Sequence, residues 1–171
     1  MGHSAAIDVY YEDSRWIAAC VVFADWQDSR PVEVVRASGP DPRPYKAGRF
    51  YQRELPCLIS VLERAGHEFD TILIDGYVHL KTGAGKGLGA WLFESLPYSP
   101  AVVGVAKNPL KIADRFVPIQ RGRSKKPLFI SAIGWQADQA VQYILTMHGP
   151  YRIPTLIKIA DRQARAGTRL S

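Results

Sequence analysis

Cysteine is scarce: only Cys20 and Cys57 occur in 171 residues, each inside an apolar run (Ala-Ala-Cys-Val-Val and Leu-Pro-Cys-Leu-Ile). Neither forms a Cys-x-x-Cys pair, so a disulfide framework and a cysteine-based zinc site are excluded and both read as small buried residues. Long hydrophobic runs are missing too. No stretch approaches the ~18 apolar residues of a membrane span, and no membrane partner is expected. Nor is there a low-complexity tract or an internal repeat with a period of about 20–50 residues, which argues against a solenoid or propeller. The opening Met1-Gly2-His3-Ser4 lacks the basic and apolar regions of a secretion signal. With the unpaired thiols, this points to a cytoplasmic protein.

Negative charge is in deficit, with 16 Asp and Glu against 22 Lys and Arg and a net charge of +6. A basic balance suits a polyanionic partner, because neutralised phosphates release condensed counterions. The cations crowd two stretches, Lys111 to Lys126 (including Arg115, Arg121, Arg123 and Lys125) and Arg152 to Arg169 (including Lys158, Arg162 and Arg165). What is plentiful is core material. At 47% hydrophobic residues, a chain of this length fits one domain over residues 1–171 and should bury about 70% of its extended surface.

The order of elements follows from periodicity. Ala5 to Tyr11 and Trp16 to Phe23 read as paired strands around a Glu12-Asp13-Ser14 turn, and Pro31 to Arg36 as a third. Ser38 to Pro44 holds three prolines and reads as a loop. Helical spacing (Leu58, Ile59, Leu62) runs from about Pro56 to Ala65, with Pro56 suited to a first turn and Gly66 to a stop. Asp70 to Asp75 and Ala101 to Val105 read as buried parallel strands, the latter leading to Lys107. A glycine-rich segment, Thr82 to Gly89, precedes a short helix from Ala90 to Ser95. Leu128 to Ile133 is a further strand, and Gln136 to Met147 and Thr155 to Ala166 are helices. A meander followed by alternating units suits an α/β fold, a ribonuclease H-like mixed sheet with helices on both faces.

Three carboxylates stand out by position: Asp8 within an apolar strand, Glu54 at the opening of a helix, and Asp75 at the end of a buried strand. A charge inside an apolar strand is costly unless paired or coordinated, and strand ends are where open α/β sheets present binding groups. Hard oxygen ligands suit Mg²⁺ or Mn²⁺, and the chemistry such a set serves is phosphodiester hydrolysis. Each acid also has an ordinary structural role open to it. Asp8 could bond backbone amides, Glu54 could favour the helix dipole, and Asp75 before Gly76 could belong to a turn. Asp161 reads as a partner for a neighbouring arginine.

The segment Pro44-Tyr45-Lys46-Ala47-Gly48-Arg49-Phe50-Tyr51-Gln52-Arg53-Glu54 resembles the endonuclease V signature, Pro-Tyr-x-x-Gly followed by Phe-x-x-Arg-Glu. Ile72 to Gly76, Val103-Gly104-Val105-Ala106-Lys107, Arg152-Ile153-Pro154 and Ala160-Asp161-Arg162 resemble later elements of that family in the same order. The resemblance implies a divalent-metal endonuclease that cuts a phosphodiester 3′ to a deaminated base, inosine, in DNA or RNA. A monomer is favoured, with the oligomeric state left open. By it, Asp8, Glu54 and Asp75 would hold Mg²⁺ or Mn²⁺, and Lys107 would face the scissile phosphate. Tyr45 and Gly48 would form a strand-separating wedge, and Gly76, His79 and Lys81 would border the extruded base.

The chain departs from the family pattern in three ways. The expected Gly-x-x-His-Pro-Arg is replaced by Tyr77-Val78-His79-Leu80-Lys81-Thr82. The histidine of Ser-x-Gly-His is replaced by Trp135, unless His148 supplies it; this change is expected to weaken binding of a second metal or to abolish turnover. A helical extension usual before the first strand is missing. A catalytically impaired nucleic-acid-binding protein of the same fold, and a ribonuclease H-like nuclease of other specificity, therefore stay open as alternatives.

Overall fold

A computed structural model describes residues 2–41 and 50–166, the side chain of Phe50 apart. It opens with an antiparallel meander of β1 (Ser4–Glu12), β2 (Arg15–Phe23) and β3 (Glu33–Pro40). Asp13 and Ser14 turn the first pair at positive φ, 47° and 66°, the backbone twist that suits a two-residue hairpin. β3 begins later and runs further than the sequence suggests, since its pairing continues until Pro40 lies opposite Arg15. As an edge strand it tolerates the proline at its end.

Next come α1 (Phe50–Ala65), β4 (Thr71–Ile74), β5 (His79–Leu80), α2 (Leu88–Ser95), β6 (Ala101–Ala106), β7 (Ala113–Asp114), β8 (Val117–Ile119), β9 (Leu128–Ile133), α3 (Ala137–Thr146) and α4 (Thr155–Ala166). Pro56 is inside α1 rather than in its first turn. It is solvent-exposed, and the helix continues through it because Leu58, Val61 and Leu62 bury one face below it. The short strands β5, β7 and β8 carry too few residues to show a period, and sequence reading passes over them.

Seven strands form one sheet in the order β3-β2-β1-β4-β6-β9-β8, and β5 and β7 form a small second sheet. The pairs β1–β4 and β4–β6 are parallel, and the others in the large sheet are antiparallel. This is the expected ribonuclease H-like mixed sheet. Alternation along the strands sorts the core into two layers. Ala5, Ile7, Ile72 and Ile74 pack with Leu58, Val61 and Leu62 of α1. Ala6, Leu73, Val103 and Val105 pack with Ile144 of α3 and Leu156 of α4. Helices therefore cover both faces, and the sheet's parallel centre carries the acids at one end.

Candidate active site

The parallel register sets the first two acids level. Ala6 lies opposite Leu73, and counting two residues along each strand brings Asp8 opposite Asp75. Lys107 follows β6 directly, and its Nζ stands 3.5 Å from Asp75 Oδ2. Glu54 arrives from α1, on the side of the helix that continues into the buried Leu58 and Val61. It is buried, and its Oε2 has no hydrogen-bond partner among the described residues. Asp8, Glu54, Asp75 and Lys107 together line a cleft of about 500 Å³, a size usual for ligand sites.

The carboxyl groups of Asp8 and Glu54 resist ionisation. Burial and then the neighbouring Asp75 raise the pKa of Asp8 to about 7, against the pull of Lys107 and of the Val9 amide; Asp161 on α4 adds to the rise. Glu54 is pushed well above the usual carboxylate range by burial, then by Asp8 and Asp75, with Arg53 opposing. Arg53 is itself fixed over the Tyr11 ring, 3.7 Å from its centre, and paired with Asp41 at 2.9 Å. Desolvation and like charge work in the same direction here, which is the setting a cation relieves. Among the described residues, no three His, Cys, Asp or Glu side chains are drawn together tightly enough to hold an ion as they stand. The donor set still fits one: carboxylate oxygens level across two strands, with a third buried and, among the described residues, unpartnered at one oxygen.

Beyond Asp75 the chain is pinned to the sheet. The Val78 N–H donates to the buried Ser131 Oγ at 3.0 Å. A Cβ on Gly104 would come within 2.3 Å of the Gly76 carbonyl oxygen and 2.7 Å of Ser131 Oγ, so only glycine lets the loop lie this close. His79 Nε2 lies 3.0 Å from the Ala132 carbonyl oxygen; a carbonyl only accepts, so this nitrogen carries the hydrogen. The tether turns His79 to β9, and it is not among the residues that line the cleft. Gly76 and Tyr77 do line it, Tyr77 donating its hydroxyl to the Asn108 carbonyl at 2.6 Å. Lys81 is exposed on the loop after β5. Tyr45 and Gly48 lie outside the described residues.

Two expectations change. Trp135 stands at the opposite end of the sheet from the acids: β9 runs antiparallel to β6, with Ile133 beside Val102 and Phe129 beside Ala106. At ~3.3 Å per residue, the length of β6 separates Trp135 from Lys107. Trp135 stacks on Tyr143 at 4.8 Å, close to Trp26, so its replacement of histidine leaves the cleft untouched. His148 does not supply the missing group there either, its Nδ1 lying 2.9 Å from Thr155 Oγ1. The basic stretches are also partly internal. Arg121 is buried, donating to the Met147 and Tyr151 carbonyls, and Arg152 donates to the carbonyls of Lys107 and Pro127. Arg152 thus seats the backbone of Lys107 rather than facing solvent.

Sequence reading missed contributors to the cleft. Asp161 pairs with Arg165 at 3.1 Å as expected, yet its charge also reaches Asp8, which a helix face alone does not disclose. Tyr51 lines the cleft and stacks on Trp91 at 4.8 Å. Its signal was present: it precedes Glu54 by three residues, and i,i+3 positions share a helix face.

The family model for Endonuclease V matches residues 2–125. Among curated proteins, endonuclease V of Nocardia farcinica is 29% identical over 96% of this chain and 80% of its own length. Endonuclease V of Bacillus thuringiensis is 24% identical over 92% of this chain and 77% of its own. Among solved structures, endonuclease V of Streptomyces avermitilis superposes with a TM-score of 0.78 at 25% identity, covering 99% of this chain and 82% of that one. Ciona intestinalis endonuclease V, solved with a 23mer DNA containing an inosine followed by a ribo-adenosine, gives 0.82 at 17% identity over 99% and 87%; that likeness is one of fold.

Proposed function

This chain belongs to the endonuclease V family, and from that premise we propose that it hydrolyses the phosphodiester 3′ to an inosine in DNA or RNA, using a divalent cation, Mg²⁺ or Mn²⁺. The observation that carries this reading is the meeting of Asp8, Glu54, Asp75 and Lys107 in one cleft. Nucleic acid is the partner of relatives solved with inosine-containing DNA, and this chain's positive charge agrees.

Asp8, Glu54 and Asp75 would hold the ion, which when bound supplies charge neutralisation at the phosphodiester and a more acidic water. Lys107 sets its ammonium against charge developing on the scissile phosphate. Gly76 and Tyr77 offer a backbone-and-aromatic wall to a base turned out of its stack. Tyr45 and Gly48 serve as the wedge, a role assigned from the resemblance. Lys81 adds a positive charge at the rim, and His79 acts behind the wall through its tether.

The test is incubation with an inosine-containing oligonucleotide and Mg²⁺ or Mn²⁺, with an undamaged oligonucleotide beside it. The expected result is one cut on the 3′ side of the lesion that disappears in Asp75→Ala while binding is kept. Binding without a cut in either metal would support the impaired reading.

A further inference from the structure

We propose that Tyr51 is a stacking seat for a nucleobase of the bound strand, on the α1 side of the cleft. This rests on the reading of the cleft as a nucleic-acid site and adds to it a contact that the acids and Lys107 do not supply. Among the described residues, Tyr51 and Glu54 are the two that α1 gives to the cleft. They are three residues apart on one helix face, about 4.5 Å along its axis. A base resting on the ring is therefore held next to the carboxylates.

The ring is held ready. Tyr51 stacks on Trp91 of α2, with centres 4.8 Å apart and planes 14° from parallel. Trp91 does not line the cleft, so the part of the Tyr51 ring that borders the cleft is not the face the indole covers. Lys86 lies over the Trp91 ring in turn, 4.7 Å from its centre, and pairs with Glu94 at 2.8 Å. The indole is thus fixed by two contacts, and the phenol ring that rests on it is fixed with it. A side chain already ordered gives up little rotamer freedom when a ligand arrives. The Tyr51 hydroxyl accepts from Gln52 Nε2 at 3.4 Å, so its polar end is served from α1 itself.

The surroundings select the ligand class. Three tyrosines line the cleft, Tyr11, Tyr51 and Tyr77, and they are not equivalent. Tyr11 has the Arg53 guanidinium 3.7 Å from its ring centre. Tyr77 meets Phe116 edge-on, at 72°, and its hydroxyl is spent on the Asn108 carbonyl. Tyr51 is the one backed by a parallel ring among the described residues. The cleft it borders is also lined by the apolar Leu88, Leu110 and Ile112, which accept a flat, weakly polar group better than a charged one. A nucleobase presents such a face, and its stacking on an aromatic ring tolerates any sequence.

The experiment is equilibrium binding of a fluorescein-labelled, inosine-containing single-stranded oligonucleotide to the full chain in EDTA. Beside it runs a set in which the inosine and each flanking base in turn is replaced by an abasic site. Tyr51→Leu should weaken binding of the intact strand by about 5–150-fold, the range of one base–aromatic stack. Tyr51→Phe, which keeps the ring, should bind like the wild type, as should Tyr151→Leu, which changes a tyrosine that is 68% exposed and outside the cleft. At one abasic position the wild type should lose affinity by a similar factor, while Tyr51→Leu loses nothing further. The proposal is overturned if Tyr51→Leu binds the intact strand like the wild type. It is equally overturned if that variant weakens every strand by one common factor, since this is the mark of a ring that only packs α1 on α2. A wild type that cleaves at inosine, with no abasic position where the two losses coincide, removes the stacking seat alone. A wild type that binds but never cleaves in Mg²⁺ or Mn²⁺, with that coincidence present, keeps the seat and removes the endonuclease reading. A wild type that binds no nucleic acid removes both.

Discussion

Lys107 reaches Asp75 with its ammonium, 3.5 Å from Oδ2, while Arg152 holds the carbonyl of the same lysine from behind. One residue is thus positioned at both ends. Lys107→Met should lower the single-turnover cleavage rate by ~10²–10³, the range for losing one preorganised electrostatic group, with oligonucleotide affinity changed little. Arg152→Met should lower the rate less, since the side chain of Lys107 remains. Equal and small losses from both would show that Lys107 only balances Asp75.

The metal-free protein should become less stable as pH rises. Asp8 titrates near 7 in the fold against ~3.9 in an unfolded chain, so the native state binds the extra proton between those values. Stability is therefore highest below the unfolded pKa and is lost as pH climbs through about 7; Glu54 is shifted in the same direction. Calorimetry in EDTA should show a lower melting temperature at pH 8 than at pH 5, a difference that narrows in Asp8→Asn. A wild type and an Asp8→Asn variant with the same pH profile would contradict this.

Ser131 does not line the cleft, yet it should matter through Val78. Ser131→Ala leaves the Val78 amide without its buried acceptor, a loss of about 1–3 kcal/mol in urea unfolding. Gly104→Ala should cost more. Its methyl group meets the Gly76 carbonyl oxygen, a backbone atom that cannot turn aside as a side chain can.

Trp135→His restores the family residue and should change cleavage by no more than a few-fold, because the site lies at the other end of the sheet. Trp135→Ala should cost about 1–3 kcal/mol of stability through its lost stacking on Tyr143, again with cleavage retained. A large gain of activity in Trp135→His would place that position in the catalytic machinery after all.

The acids were legible because each breaks a local rule. Asp8 is a charge in an apolar strand, and Asp75 ends a run of four buried residues. The order of the elements gave the sheet, and the strand register then brought Asp8 level with Asp75. What stayed hidden depends on contacts between distant segments. Nothing near His79 in the chain indicates a bond to Ala132, and nothing near Arg152 indicates that it grips Lys107. Trp135 misled for the same reason: its place in a motif is local, whereas its distance from the cleft follows from β9 running against β6.

The most direct measurement is the binding of Mn²⁺ itself, followed by electron paramagnetic resonance or calorimetry, in the wild type and in Asp8→Asn, Glu54→Gln and Asp75→Asn. The expected result is saturable binding to the wild type near neutral pH that each substitution weakens at least tenfold (about 1.4 kcal/mol). Equal binding in all four proteins, or none in the wild type with oligonucleotide present, would contradict a cation seat built from these three carboxylates.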